Sequence, residues 1–124
     1  MPLSQQNSLP SGIACPPTLS LVVPAYNEAG NLLALHDRLV PVLAALGESW
    51  ELVLVNDGST DATLDVMQRL RARDGRVAIV NLSRNFGKEI ATTSGLDHAA
   101  GEAVILLDAD LQDPPELIPE MVAA

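Results

Sequence analysis

A chain of 124 residues with 48% hydrophobic content is long enough for one globular core and too short for two ordinary domains. Seven basic against sixteen acidic residues leave a formal charge of −9, which excludes the clustered Lys and Arg surface that a nucleic-acid binder needs. Lys88 is the single lysine, so the charge balance suits a small anion held at a few chosen places, through a metal, better than a spread polyanion.

Residues 1–17 hold four of the nine prolines and neither Lys nor Arg, so they lack the basic start and apolar run of a signal peptide and read as a disordered tail. The lone Cys15 has no internal disulfide partner, which fits a reduced, cytoplasmic-side setting. No uninterrupted apolar run approaches the roughly 20 residues that span a bilayer.

Leu19–Val23, Leu52–Val55, Val77–Val80 and Ala103–Leu107 are short apolar runs rich in β-branched residues, the pattern of strands buried on both faces. Helical spacing fills the gaps. Glu28 to Leu46 follows Asn27, a favourable N-cap, and ends at Gly47, with Pro41 expected to kink it. Thr60 to Arg73 places Asp61 near its positive end and Arg69, Arg71 and Arg73 near its negative end. Lys88 to Ala100 is a third helix that must accommodate Gly95, and Pro114 and Pro115 open a fourth that has no stop before Ala124. Such alternation predicts an α/β fold, a Rossmann-like parallel sheet with helices on both faces. A four-stranded sheet whose last helix ends in mid-pattern reads as a truncated unit over residues 18–124, expected to expose apolar surface that invites association with other copies or partial disorder.

The polar motifs all follow strands. Pro24-Ala25-Tyr26-Asn27-Glu28, Asn56-Asp57-Gly58-Ser59, Ser83 to Lys88, and Asp108-Ala109-Asp110-Leu111-Gln112 each sit at a carboxyl end, and in an open α/β sheet those ends share the ligand-binding edge. If strand conformation continues through them, Asp108 and Asp110 point the same way, and paired carboxylates with Gln112 nearby suit Mg²⁺ or Mn²⁺. The competing reading makes Asp110 and Asp113 caps of the helix at Pro114. Asp57 is either a turn residue or an acceptor for a base or ribose, and Glu28 is equally open. Arg84 and Lys88 place two cations at the pocket edge, where they serve a diphosphate or solubility alone. Tyr26 and Phe86 are loop aromatics suited to ring stacking, while Trp50 reads as core. His36 and His98 read as packing or surface residues.

Taken in order, Val23 to Glu28, Asn56 to Asp61, Ser83 to Glu89 and Leu107 to Glu116 resemble family 2 glycosyltransferases of the GT-A fold. The Arg-Asn-Phe-Gly and Asp-Ala-Asp-Leu-Gln stretches are similar to the branch of dolichyl-phosphate mannose synthase and the GtrB-type and ArnC-type polyprenyl-phosphate transferases. That resemblance covers about residues 18 to 124 and implies the nucleotide-binding half of the domain. It implies that Pro24, Tyr26, Glu28 and Asp57 hold a nucleotide-sugar donor, with Arg84 and Lys88 assisting. It further implies that Asp108, Asp110 and Gln112 hold the metal, Asp110 being the catalytic carry-over. The implied reaction is inverting transfer from a UDP- or GDP-sugar to a polyprenyl phosphate. An acceptor half and C-terminal membrane helices would follow, giving an inner-membrane-anchored enzyme of which this piece alone is inactive. One departure is Asn56, where the family usually has Asp. Two other readings are a non-catalytic nucleotide-sugar-binding remnant and a receiver-like Mg²⁺-binding signalling module, which would carry its acidic pair after the first strand.

Overall fold

The computed structural model describes residues 17–109; the expected tail (residue 17 apart), the fourth helix, Asp110 and Gln112 lie outside them. Seven elements follow in order: β1 Leu19–Ala25, α1 Ala29–Leu46, β2 Trp50–Asn56, α2 Thr63–Arg73, β3 Val77–Asn81, α3 Lys88–His98 and β4 Ala103–Leu106. The four strands form one parallel sheet in the order β3-β2-β1-β4. The chain therefore builds outward from β1 through β2 to β3, then crosses back to lay β4 on the other side of β1. That is the strand order of dinucleotide-binding folds, and it differs from the order of receiver modules, whose first strand lies between their second and third. The receiver-like alternative fails on this point.

Alternation along the strands sorts the core into two layers. Leu21, Val23, Leu52 and Leu54 face Leu32, Leu35, Leu39 and Leu43 of α1 and Met67 and Leu70 of α2. Val22, Val53 and Val55 face the opposite side, where Ala91 of α3 packs. Helices thus cover both faces. The crossover that reverses direction carries its helix to the other face, as a constant crossover hand requires. Gly95 makes that close approach possible, since a Cβ there would stand 2.4 Å from Val22 Cγ1 and 2.9 Å from Val55 Cγ2.

Several boundaries differ from expectation. The α1 helix runs on through Pro41 for its full 18 residues. By length and hydropathy it also reaches the lower limit of a membrane span, yet its leucine face is core. Asn27 is not its cap: Glu28 holds that position with no side-chain cap bond, and Asn27 adopts a left-handed φ of 55°. The α2 helix starts at Thr63, because the Asp61 carboxylate turns to accept the Thr63 N–H at 2.9 Å as well as the Thr63 hydroxyl. Those hydroxyl and amide bonds, against a smaller opposing effect of burial, hold the Asp61 carboxyl below its ordinary range. The β4 strand was expected to be buried on both faces, but Val104 and Leu106 are 40% and 50% exposed. With Ile90 and Leu96 of α3 they are large apolar side chains left open to solvent.

At the amino-terminal edge of the sheet, Trp50 is buried as expected and the Arg76 guanidinium lies 3.9 Å over its ring. Arg76 also forks onto Asp74 at 2.9 and 3.1 Å, and the same carboxylate meets His36 Nε2 at 2.9 Å. Burial pushes the Asp74 carboxyl up, but the hydrogen bonds from Arg76 and His36 outweigh it and hold the group well below the usual carboxylate range. His36 is thus a packing residue, as its place in a helix suggested.

Candidate functional site

The order of strands reverses between β1 and β4, and a crevice opens there beyond their carboxyl ends, as it does in other doubly wound sheets. Pro24, Ala25, Tyr26, Glu28, Asp57, Lys88, Asp108 and Ala109 line a cleft of about 280 Å³. Four separate loops supply these residues. A second cleft of about 240 Å³ adjoins it and shares Pro24, Lys88 and Asp108, with Thr92, Leu106 and Leu107 completing its wall. Between the clefts Lys88 Nζ meets Asp108 Oδ1 at 2.6 Å.

The loops are held to one another by side chains accepting backbone N–H groups. Asn27 Oδ1 accepts the Thr60 N–H at 2.8 Å, the Asn27 N–H donates to Ser59 Oγ at 2.9 Å, and the Glu28 N–H donates to Thr63 Oγ1 at 2.9 Å. These bonds join the first loop to the second. Tyr26 and Glu28 flank Asn27 and so project from a fixed turn, with Tyr26 45% exposed in the cleft. Asn31 Nδ2 donates to Glu28 Oε1 at 2.9 Å and orients that carboxylate.

Asn56 and Asp57 join the second loop to the third. Asn56 is buried, donates from Nδ2 to Asn81 Oδ1 at 2.9 Å and accepts the Ser59 N–H on Oδ1 at 3.1 Å. An amide does both at once, which a carboxylate in this position cannot do. Asp57 is only 4% exposed. Its Oδ1 accepts the Phe86 N–H at 2.8 Å and its Oδ2 the Gly87 N–H at 3.1 Å, so a negative charge sits at the amino end of α3, where helix N–H groups favour it. Asp57 lines the cleft, and its carboxylate also holds the loop before α3. Beside it Gly58, with φ +68°, brings the two loops into backbone contact.

Of the residues singled out in sequence, Pro24, Tyr26, Glu28, Asp57, Lys88 and Asp108 come together in one cleft. Arg84 does not join them. Its guanidinium lies 4.7 Å over the Phe86 ring, so both side chains are engaged with each other at the surface. His98 is exposed on α3. The β4 strand ends at Leu106 and Ala109 lies in a turn, so strand conformation does not continue through Asp108 and Ala109; Asp110 lies outside the described residues. Leu107 still donates its N–H to Val22 O at 3.0 Å, which anchors the segment just before Asp108 to the end of β1. Sequence reasoning missed the structural parts played by Asn27, by Thr63 and by Asn85, whose Nδ2 donates to the Asp57 backbone O at 3.1 Å. The Asn tolerance of left-handed backbone was the available signal for the first.

A divalent ion needs hard oxygen ligands. The half-buried Asp108 carboxylate offers them at the mouth of the cleft and already has a cation against one oxygen, so its chemistry fits such an ion. Among the described residues no group of three or more His, Cys, Asp or Glu side chains gathers into a complete metal site. Water, a bound diphosphate or residues beyond Ala109 would complete the coordination.

Comparison with known proteins agrees with this geometry. An uncharacterised glycosyltransferase of Synechocystis is 55% identical over 104 residues, 84% of this chain and 33% of the relative. An undecaprenyl-phosphate 4-deoxy-4-formamido-L-arabinose transferase of Edwardsiella ictaluri is 43% identical over 107 residues, 86% of this chain and 33% of the relative. The chain thus spans about a third of the length of these curated relatives. Among solved structures, a mannosyltransferase from Pyrobaculum calidifontis in complex with GDP-Man and Mn²⁺ superposes with a TM-score of 0.64 at 27% identity, over 82% of this chain and 34% of that one. The sheet is that of the nucleotide-binding part of a GT-A fold. The model of the family described as glycosyl transferase family 2 matches residues 20–124, and the chain belongs to that family.

Proposed function

We propose that this chain is the donor-binding part of a metal-dependent, inverting glycosyltransferase that moves a sugar from a UDP- or GDP-sugar to a polyprenyl phosphate. The observation that carries the reading is the convergence of four loops on the crevice between β1 and β4, with Pro24, Tyr26, Glu28, Asp57, Lys88 and Asp108 in one wall. Tyr26 offers a ring face for a base. Lys88 is the cation at the cleft, placed for a diphosphate. The arabinose transferase relative, named for its undecaprenyl phosphate substrate, supports the acceptor class, and the GDP-Man and Mn²⁺ of the solved mannosyltransferase support the donor class and the ion.

In this reading Asp108, with Asp110 and Gln112, would hold Mg²⁺ or Mn²⁺. Such an ion, when bound, supplies Lewis-acid stabilisation of the departing diphosphate. The acceptor phosphate oxygen forms the new bond to the anomeric carbon as the bond to the diphosphate oxygen breaks, so the nucleoside diphosphate leaves with the bonding pair. A phosphate monoester is already anionic near neutral pH, so no general base is required of these residues. The exposure of Val104 and Leu106 on β4 and of Ile90 and Leu96 on α3 supports taking residues 18–124 as one part of a larger domain. The complete protein would then work on the cytoplasmic side, anchored to the inner membrane by a C-terminal part.

Calorimetric titration of UDP and GDP, with and without Mn²⁺, tests the reading. Metal-dependent binding of at least one nucleotide is expected, reduced at least tenfold, about 1.4 kcal/mol, by Asp108→Asn or Asp110→Asn. A chain that binds neither nucleotide, or binds equally well after both substitutions, does not have this function.

A further inference from the structure

Lys88 and Asp108 do more than line the crevice, because they form an ion pair that belongs to the lining of both clefts. The two clefts have Pro24, Lys88 and Asp108 in common; Tyr26, Glu28 and Asp57 line only the first, and Thr92 and Leu106 only the second. A ligand occupying both clefts must break or bypass the 2.6 Å contact. The Lys88 side chain is 69% exposed and that of Asp108 34%, so the pair is open to solvent. Lys88 is nevertheless well placed, because it is the first residue of α3 and the two preceding N–H groups are held by Asp57.

From this geometry we infer that Lys88 is a displaceable crossbar: its ammonium acts as the resident counter-ion of Asp108, and a divalent cation must compete with it for that carboxylate. The inference rests on the reading of Asp108 as a metal ligand. Two positive centres cannot share one carboxylate without mutual repulsion. A cation alone therefore meets a site that is already neutralised. A diphosphate changes the balance, since its oxygens draw the Lys88 ammonium away and free Asp108 for the ion. Nucleotide and metal then each promote the binding of the other, and by linkage the enhancement is equal in both directions. Lys88 thereby opposes metal binding in the empty chain and favours diphosphate binding, so its removal moves the two affinities in opposite directions.

The test uses Lys88→Met, which keeps much of the aliphatic stem and removes the charge. Mn²⁺ alone is titrated into wild-type and variant chains and the free ion is followed by electron paramagnetic resonance. An ion pair this exposed is worth up to about 1 kcal/mol, so Mn²⁺ should bind the variant about two- to fivefold more tightly. UDP or GDP should bind it more weakly, and the factor by which Mn²⁺ enhances nucleotide binding should fall. The same substitution in an Asp108→Asn background separates competition at this carboxylate from the general effect of removing a positive charge, and there the Mn²⁺ affinity should not rise. Mn²⁺ affinity that is unchanged or lower in Lys88→Met overturns the proposal, as does an equal rise in the Asp108→Asn background. A chain that binds no nucleotide but shows the Mn²⁺ difference removes the proposed function and leaves the crossbar standing.

Discussion

The Asp57 carboxylate receives the backbone N–H groups of Phe86 and Gly87 on its two oxygens, at 2.8 and 3.1 Å. One charged side chain at the end of β2 thus sets the start of α3 and with it the position of Lys88. Asp57→Asn retains an acceptor for Phe86 but turns an NH₂ group toward the Gly87 N–H, donor against donor. Hydrogen bonds to charged groups are worth about 1.5–3 kcal/mol each, so a loss of about 2–3 kcal/mol is expected in urea unfolding. Hydrogen exchange should speed at the Phe86 and Gly87 amides beyond the rest of α3. If Asp57 served only a ligand, the variant would lose nucleotide affinity while exchange at those two amides stayed unchanged.

Gly58 and Gly95 both allow close approach, and they should respond differently to Ala. At Gly58 a Cβ would lie 2.2 Å from both Arg84 C and Asn85 N, on a backbone with φ +68°. Neither obstacle is a side chain that can rotate away, and moving the loop would break the bonds to Asp57. At Gly95 the obstacles are the Val22 and Val55 methyl groups, and overpacking of about 1–3 kcal/mol is partly offset by the gain of about 1 kcal/mol from replacing a helical Gly. Gly58→Ala should therefore cost more in thermal denaturation than Gly95→Ala, and it alone should weaken nucleotide binding. Equal costs would mean that the loop contact at Gly58 is soft.

The strands and the shared carboxyl edge were legible because continuous β-branched runs and alternating helices have few other solutions. Pro24, Tyr26, Glu28, Asp57, Lys88 and Asp108 could be gathered from their positions after strands alone. What the sequence did not disclose is how the loops hold each other. Asn27 looks like a cap because Asn caps well, but its left-handed φ turns the side chain to a loop thirty-odd residues away. Asp57 looks like a ligand because it ends a strand, and only the fold brings Phe86 and Gly87 to it. Arg84 has the right charge and the right loop, yet the Phe86 ring two residues on captures it. The first two outcomes depend on long-range contacts that local pattern does not contain, and the third on a loop conformation that brings two near neighbours face to face.

Asp74 carries a pH prediction at the far edge of the sheet. Its carboxyl is held below the ordinary range by Arg76 and His36 in spite of burial, so the charged form is the one that the fold stabilises. A lowered folded-state value contributes stability that is present above the unfolded value, about 3.9, and is lost as pH falls toward the folded one. Wild type should exceed Asp74→Asn by about 1–3 kcal/mol at pH 6, a gap that narrows steadily below pH 4. Urea unfolding at a series of pH values measures it. A gap independent of pH would show that the charge of Asp74 contributes nothing beyond its shape.

Asn27 is the sharpest test of how the cleft is built, because two separable effects meet in one residue. Its φ of 55° favours Gly, Asn or Asp, and its Oδ1 accepts the Thr60 N–H at 2.8 Å. Ala in left-handed backbone costs about 1–2 kcal/mol, and the lost hydrogen bond adds about 1 kcal/mol. Asn27→Ala should therefore be the most destabilising substitution, by about 2–3 kcal/mol. Asn27→Gly removes the steric cost but loses the bond and loosens the unfolded chain, so it should fall between, at about 1.5–2 kcal/mol. Asn27→Asp keeps both the backbone tolerance and the acceptor and should be nearest to wild type. Nucleotide affinity should follow the same order, Asp over Gly over Ala, since Tyr26 and Glu28 flank this turn and are aimed by it. If Gly and Ala proved equally harmful, the hydrogen bond to Thr60 would be the whole effect and the left-handed backbone would carry no strain. If Asp were as harmful as Ala, the Thr60 bond would not be what aligns the two loops.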